Sequence, residues 1–154
     1  MKYPIQIIRK TRQTVLDIIK DLSIEQLNQV PEGFNNNIIW NVAHLAATLQ
    51  GVCYKRAGLP IVIDEAFFDA YKSGTKPEQD VDEAGVEEIK TLLLSTVDQL
   101  EADVNENKES FANYPAWSTR YGMDISSIDE AVAFLPFHEG LHMGYIMALK
   151  RVID

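Results

Sequence analysis

Residues 134–151 read FLPFHEGLHMGYIMALKR, and the reading of this stretch decides the fold. By spelling, His138-Glu139-Gly140-Leu141-His142 is H-E-x-x-H, the helix of a metalloprotease in which two histidines one turn apart hold zinc and the glutamate acts as base. By periodicity it is a helix with His138 and His142 on one side, beside Phe134, Tyr145 and Leu149. Residues four apart on a helix have Cβ atoms roughly 5–6 Å apart, so the two imidazoles can converge on one ion.

The residues downstream of the motif disfavour the protease reading. The extended form needs glycine and histidine three and six residues after the second histidine, where Tyr145 and Ala148 stand. The one carboxylate side chain after His142 is Asp154. The same helix is expected to begin at Ser127, whose S-x-x-E with Glu130 is a capping box, and to run to about Val152, interrupted by Pro136.

Three further helices are read upstream. Over Ile5 to Leu22, Ile5, Ile8, Val15, Ile18, Ile19 and Leu22 form an apolar stripe, and Arg9, Lys10, Arg12 and Lys20 are placed elsewhere as a solvated face. Ser23 with Glu25 and Gln26 suggests a short capped turn, and PEGFNNN (31–37) a loop. From Asn37 to Arg56, Ile38, Val42, Leu45 and Leu49 form one face while Trp40, His44 and Ala47 lie nearly opposite. A helix apolar on both sides is surrounded by protein, which buries His44. Over Ala84 to Val104, Val86, Ile89, Leu93, Val97, Leu100 and Val104 keep the three-four spacing. Two long connectors remain, 59–83 with DEAFFDAY (64–71) as a short helix and KSGTKPEQD (72–80) as an exposed loop, and 105–126, rich in aromatic residues. The pattern is all-α, a four-helix bundle in one domain over 1–154, with at least one connector crossing the bundle.

Composition narrows the function. The 154 residues are 46% hydrophobic and 24% charged with a formal net charge of −9. Such an acidic chain repels phosphate backbones, and the cluster Arg9, Lys10, Arg12 is too small to reverse that, so no nucleic-acid partner is expected. Cys53, the single cysteine, lies in an apolar stretch and reads as a small buried hydrophobe. No membrane span is expected, since IIWNVAHLAATLQGVCY (38–54) carries Asn41, His44 and Gln50. Without an apolar signal segment in MKYPIQIIRKTRQ, cytoplasm is the expected compartment.

The three histidines, His44, His138 and His142, all fall on two helical faces. They read either as core histidines satisfied by hydrogen bonds or as a shared metal site, and the joint pattern favours the metal. A di-iron site would need a second E-x-x-H beside EGLH (139–142), but Asn41 stands where the glutamate before His44 would be. Glu139 is expected at the helix flank, solvated or bonded to a metal-holding histidine.

NNNIIWNVAHLAATL (35–49) followed by FHEGLHMGYI (137–146) resembles the DinB-like (YfiT-like) superfamily of metalloenzymes, over most of the chain. The resemblance implies an up-down-down-up bundle, commonly a homodimer. It places a divalent metal, nickel or zinc, on His44, His138 and His142. In some relatives the activity is thiol-dependent transfer using bacillithiol or mycothiol. The expectation is therefore a metal-dependent thiol S-transferase acting on a small-molecule electrophile, with Tyr114, Trp117 and Tyr121 walling the pocket. The alternative is a non-catalytic dimeric bundle or binding module whose metal is structural or vestigial.

Overall fold

Each long helix after the first begins where a side chain satisfies its free amide groups. The side chains of Asn37, Asp82 and Ser127 accept from the backbone N–H of Trp40, Gly85 and Glu130, and Ser23 forms a full capping box with Gln26. In the computed structural model, which describes residues 1–153, the elements are α1 (Lys2–Ile19), α2 (Ile24–Asn28), α3 (Ile38–Gln50), α4 (Glu65–Tyr71), α5 (Glu83–Glu106) and α6 (Ile128–Leu149). A small antiparallel hairpin, β1 (Trp117–Ser118) with β2 (Asp124–Ile125), precedes α6. The fold is all-α apart from this hairpin.

The core has two layers, and their membership gives the helix directions. One layer gathers Ile5 and Ile8 of α1 with Leu49 of α3, Val97 and Leu100 of α5, and Val132 and Leu135 of α6. The other gathers Val15 and Ile19 with Val42 and Leu45, Ile89 and Leu93, and Ile146 and Leu149. Passing from the first layer to the second, residue numbers rise in α1 and α6 and fall in α3 and α5. The bundle is therefore up-down-down-up. Lys150 Nζ on the Ile18 carbonyl and Arg9 on Glu101 tie the same pairs of helices in the same sense. Each fully buried Ile or Leu contributes about 1.5–3 kcal/mol.

Because α3 and α5 run the same way, the chain between them must return along the bundle. It does so against α3. Phe68 lies under Lys55, the Tyr71 carbonyl meets His44, Thr75 Oγ1 accepts from Trp40 Nε1 at 3.3 Å, and Asn28 and Val81 exchange two hydrogen bonds of 2.8 Å. The loop 72–80 is mostly exposed, as expected, and is tied to α3 through Thr75.

Several boundaries differ from the sequence reading. α1 stops at Ile19 rather than Leu22, since the chain turns to enter the Ser23 cap. α6 ends at Leu149 and continues unbroken through Pro136. Past Gln50, α3 widens into a π-helical turn over Gly51–Lys55, and Gly58, at φ +72°, provides the exit. Ser127 caps α6 as expected, its hydroxyl accepting from Glu130 N, and the Glu130 carboxylate also bonds the Ser126 backbone and hydroxyl. The hairpin in the aromatic connector had no strand signal. It turns through Gly122, at φ +78°, which donates to the Thr119 carbonyl.

Arg12 is the main correction. Placed on the solvated face by the sequence reading, it is fully buried between the two core layers. Its position is that of an apolar residue in the spacing Ile5, Ile8, Arg12, Val15, Ile19, about 20° around the helix from Ile5 at 3.6 residues per turn.

Candidate metal centre

α3 carries a polar stripe, Asn41, His44 and Thr48, at three-four spacing in a helix whose other residues, up to the terminal Gln50, are apolar. This stripe faces α6, where His138 and His142 stand one turn apart. The three imidazoles meet there, with ring centroids 5.3 Å apart for His44–His138, 4.6 Å for His44–His142 and 4.5 Å for His138–His142. One ring nitrogen from each lies within 4.8 Å of the others, a grouping that could hold a metal ion.

Neighbouring groups set the tautomers of two rings. His44 Nδ1 donates to the Tyr71 carbonyl at 2.6 Å, which leaves Nε2 as its lone-pair nitrogen, and the Thr48 hydroxyl donates to it at 3.1 Å. His142 Nδ1 donates to Asn41 Oδ1 at 2.8 Å, so its Nε2 is likewise free of a proton. Fixing one ring nitrogen with an acceptor is how proteins orient imidazoles toward a metal. His138 differs, because its Nδ1 is buried and meets no hydrogen-bond partner. Trp40 stacks on His44, 4.7 Å between centroids and 12° between planes.

Burial keeps all three rings neutral. It holds His138 down at about 2, with repulsion from His142 and His44 adding to it, and His142 at about 3, again with His44 opposing its charge. Burial also lowers His44, against the Tyr71 carbonyl, which favours its charged form. Neutral imidazoles are ready donors for zinc, nickel, iron or copper. Donor type, preset tautomers and the orphaned His138 nitrogen all fit a divalent cation.

The histidines open into a cleft of about 1000 Å³ between α3, α6, the return segment and the hairpin. Trp117 and Tyr121 line it, as the sequence reading expected. Tyr114 does not. It is buried behind the wall, donating to the Val52 carbonyl at 2.7 Å and accepting from Trp117 Nε1 at 3.0 Å.

Glu139 also departs from expectation. It bonds no histidine and is shut away from solvent, where its Oε1 accepts from Arg12 Nε at 3.0 Å and Nη2 at 2.7 Å. Burial pushes its carboxyl up, opposed by the Arg12 charge. The remaining Arg12 donors reach the Leu45 and Leu93 carbonyls and Thr96 Oγ1 at 2.7–3.0 Å. One guanidinium thereby joins α1, α3, α5 and α6 at the residues next to His44 and His138.

Sequence reading found the three histidines and missed their supports. Asn41 and Thr48 were visible as a stripe with His44, and Arg12 as an arginine in an apolar register. The Tyr71 carbonyl left no signal, because any residue supplies one.

No curated protein matches the sequence at a significant level. Among solved structures the fold is similar to a crystal structure described as the conserved protein of a locus from Enterococcus faecalis, with a TM-score of 0.68 at 9% identity, covering 99% of this chain and 95% of that one. At that identity the likeness speaks for the fold alone. Residues 7–146 match the sequence profile of the DinB superfamily, and with nearly the whole bundle inside that match, the chain belongs to the DinB superfamily.

Proposed function

We propose that this chain is a divalent-metal-dependent enzyme with His44, His138 and His142 as ligands to zinc or nickel, and that it transfers a low-molecular-weight thiol to a small electrophile. What carries the reading is the position of three neutral imidazoles on the wall of an open cleft. A structural zinc is normally closed by four protein ligands, whereas three ligands and an open approach suit catalysis. A divalent cation held there supplies a positive charge that favours the deprotonated form of a thiol or a water at neutral pH.

The protein's own part is orientation and exclusion of water. Tyr71 and Asn41 keep two lone pairs turned inward, Trp40 holds the His44 ring, and Trp117 and Phe134 give the cleft apolar walls beside His138. In the transfer, the thiol proton leaves to solvent, a sulfur–carbon bond forms, and the leaving group departs with its bonding pair.

The test is turnover. Protein loaded with zinc or nickel should conjugate a small thiol such as cysteine to a chlorodinitrobenzene or an epoxide, and His142→Ala, loaded identically, should not. A loaded protein that turns over no thiol–electrophile pair, or turnover equal in the variant, contradicts the reading.

A further inference from the structure

We infer that the cleft binds a small molecule bearing a carboxylate, gripped by Arg56 and Arg120 with Lys76 nearby. The inference rests on reading this cleft as the substrate site. The chain is strongly acidic, at −9, yet Arg56, Lys76 and Arg120 all line the one cleft that reaches the histidines, against a single lining carboxylate, Glu78.

Of the eleven cations outside this cleft, six are neutralised by a carboxylate, while Lys2, Lys10, Lys20, Lys150 and Arg151 are spread over other parts of the chain. Arg9, Arg12, Lys55, Lys72, Lys90 and Lys108 each meet an Asp or Glu. Among the described residues none of the three cleft cations does. In a chain with surplus carboxylates, three cations left unpaired around one opening make a local field of the opposite sign to the whole, and such a field draws an anion in.

Arg56 is also held ready. Its guanidinium carbon lies 3.9 Å from the centre of the Trp117 ring. Trp117 Nε1 donates to the Tyr114 hydroxyl at 3.0 Å, which donates to the Val52 carbonyl at 2.7 Å. Stacking occupies the face of the guanidinium and leaves its edge of N–H donors for a planar two-point contact with a carboxylate. Arg120 follows Thr119, which fixes the hairpin turn: its hydroxyl accepts from Met123 N at 3.1 Å and its own N–H donates to the Met123 carbonyl at 2.8 Å. Asn36 Oδ1, a buried acceptor without a donor, lines the same cleft and suits an N–H on the ligand.

The test uses matched acids and amides. Cobalt-loaded protein is titrated with N-acetylcysteine and with N-acetylcysteine amide, read by the cobalt absorption bands, in the wild type and in the Arg56→Gln/Arg120→Gln double variant. Both arginines are exposed, so the double variant should keep the fold. A second pair without sulfur, N-acetylalanine and its amide, is read by calorimetry. The acid should bind roughly tenfold tighter than the amide in the wild type and equally in the variant, with the preference shrinking in high salt. An acid preference that depends on the arginines, in either pair, supports the inference. If it occurs only in the sulfur-free pair while the cobalt bands ignore both thiols, the carboxylate site stands and the thiol reading fails. No preference in either pair, or one that the double variant retains, overturns the inference.

Discussion

Arg12 Nη2 donates to Glu139 Oε1 at 2.7 Å, so a residue of the first helix forms an ion pair with the residue after His138 on the last. Both side chains are sealed from solvent, at 0% and 1% exposure. Such a pair gains little over an apolar substitute, because desolvation offsets the attraction, but removing one partner strands a charge in the core. Its position between the two core layers makes it the point where all four long helices are registered.

Arg12→Ala should therefore cost about 3–5 kcal/mol of unfolding free energy in urea. Arg12→Met combined with Glu139→Met should cost less than the sum of the two single changes, because neither charge is then stranded. Additive costs would show that the two side chains do not act as a pair.

Asn41→Ala should weaken zinc or nickel binding roughly 10–100-fold while the fold survives, since it removes the acceptor that sets the His142 tautomer. Asn41→Asp retains an acceptor oxygen and should retain affinity. Equal metal affinity in the wild type and Asn41→Ala, measured by competition with a chelating dye, would contradict the orienting role.

How far the bundle could be read from sequence depends on what makes the signal. Stripes such as Val86, Ile89, Leu93 and Val97 exist because each helix buries one face, so periodicity exposes them directly. His44, His138 and His142 were legible because imidazoles are scarce here and sit at helical spacing. Arg12 was misread because charge was allowed to outweigh register: its position matched the apolar stripe and its residue type did not. The hairpin at Trp117–Ser118 and Asp124–Ile125 and the Tyr71 carbonyl depend on backbone groups common to every residue, and no side-chain pattern announces them.

Acid should destabilise the metal-free protein through its histidines. His138 and His142 are held at about 2 and about 3 and His44 is lowered, while an unfolded histidine titrates near about 6.5. Below that value the unfolded chain takes up protons that the folded one refuses. Their contribution to stability is thus full above about pH 6.5 and falls as the pH drops toward the folded values. His138 and His142 together give a limiting slope of about 3 kcal/mol per pH unit, and His44 adds to it in the same direction. His138→Gln should lower that slope by up to about 1.4 kcal/mol per pH unit between about pH 6 and about pH 4. An unchanged slope would contradict the burial of the ring.

Cys53 should be inert in the native protein. It is fully buried, and burial pushes its thiol up to about 12, so almost no thiolate exists at neutral pH. A disulfide reagent should react with it only after unfolding by denaturant. Rapid reaction under native conditions would mean that the first core layer opens far more readily than its packing implies.

Whether the three histidines share one ion is decided by metal content, measured by mass spectrometry on protein purified without chelator, alongside His44→Ala, His138→Ala and His142→Ala. One divalent cation should be bound per wild-type chain and lost in each variant, while each variant keeps a helical circular-dichroism spectrum. A wild-type protein that carries no metal and whose melting temperature ignores added zinc and nickel would contradict a shared site.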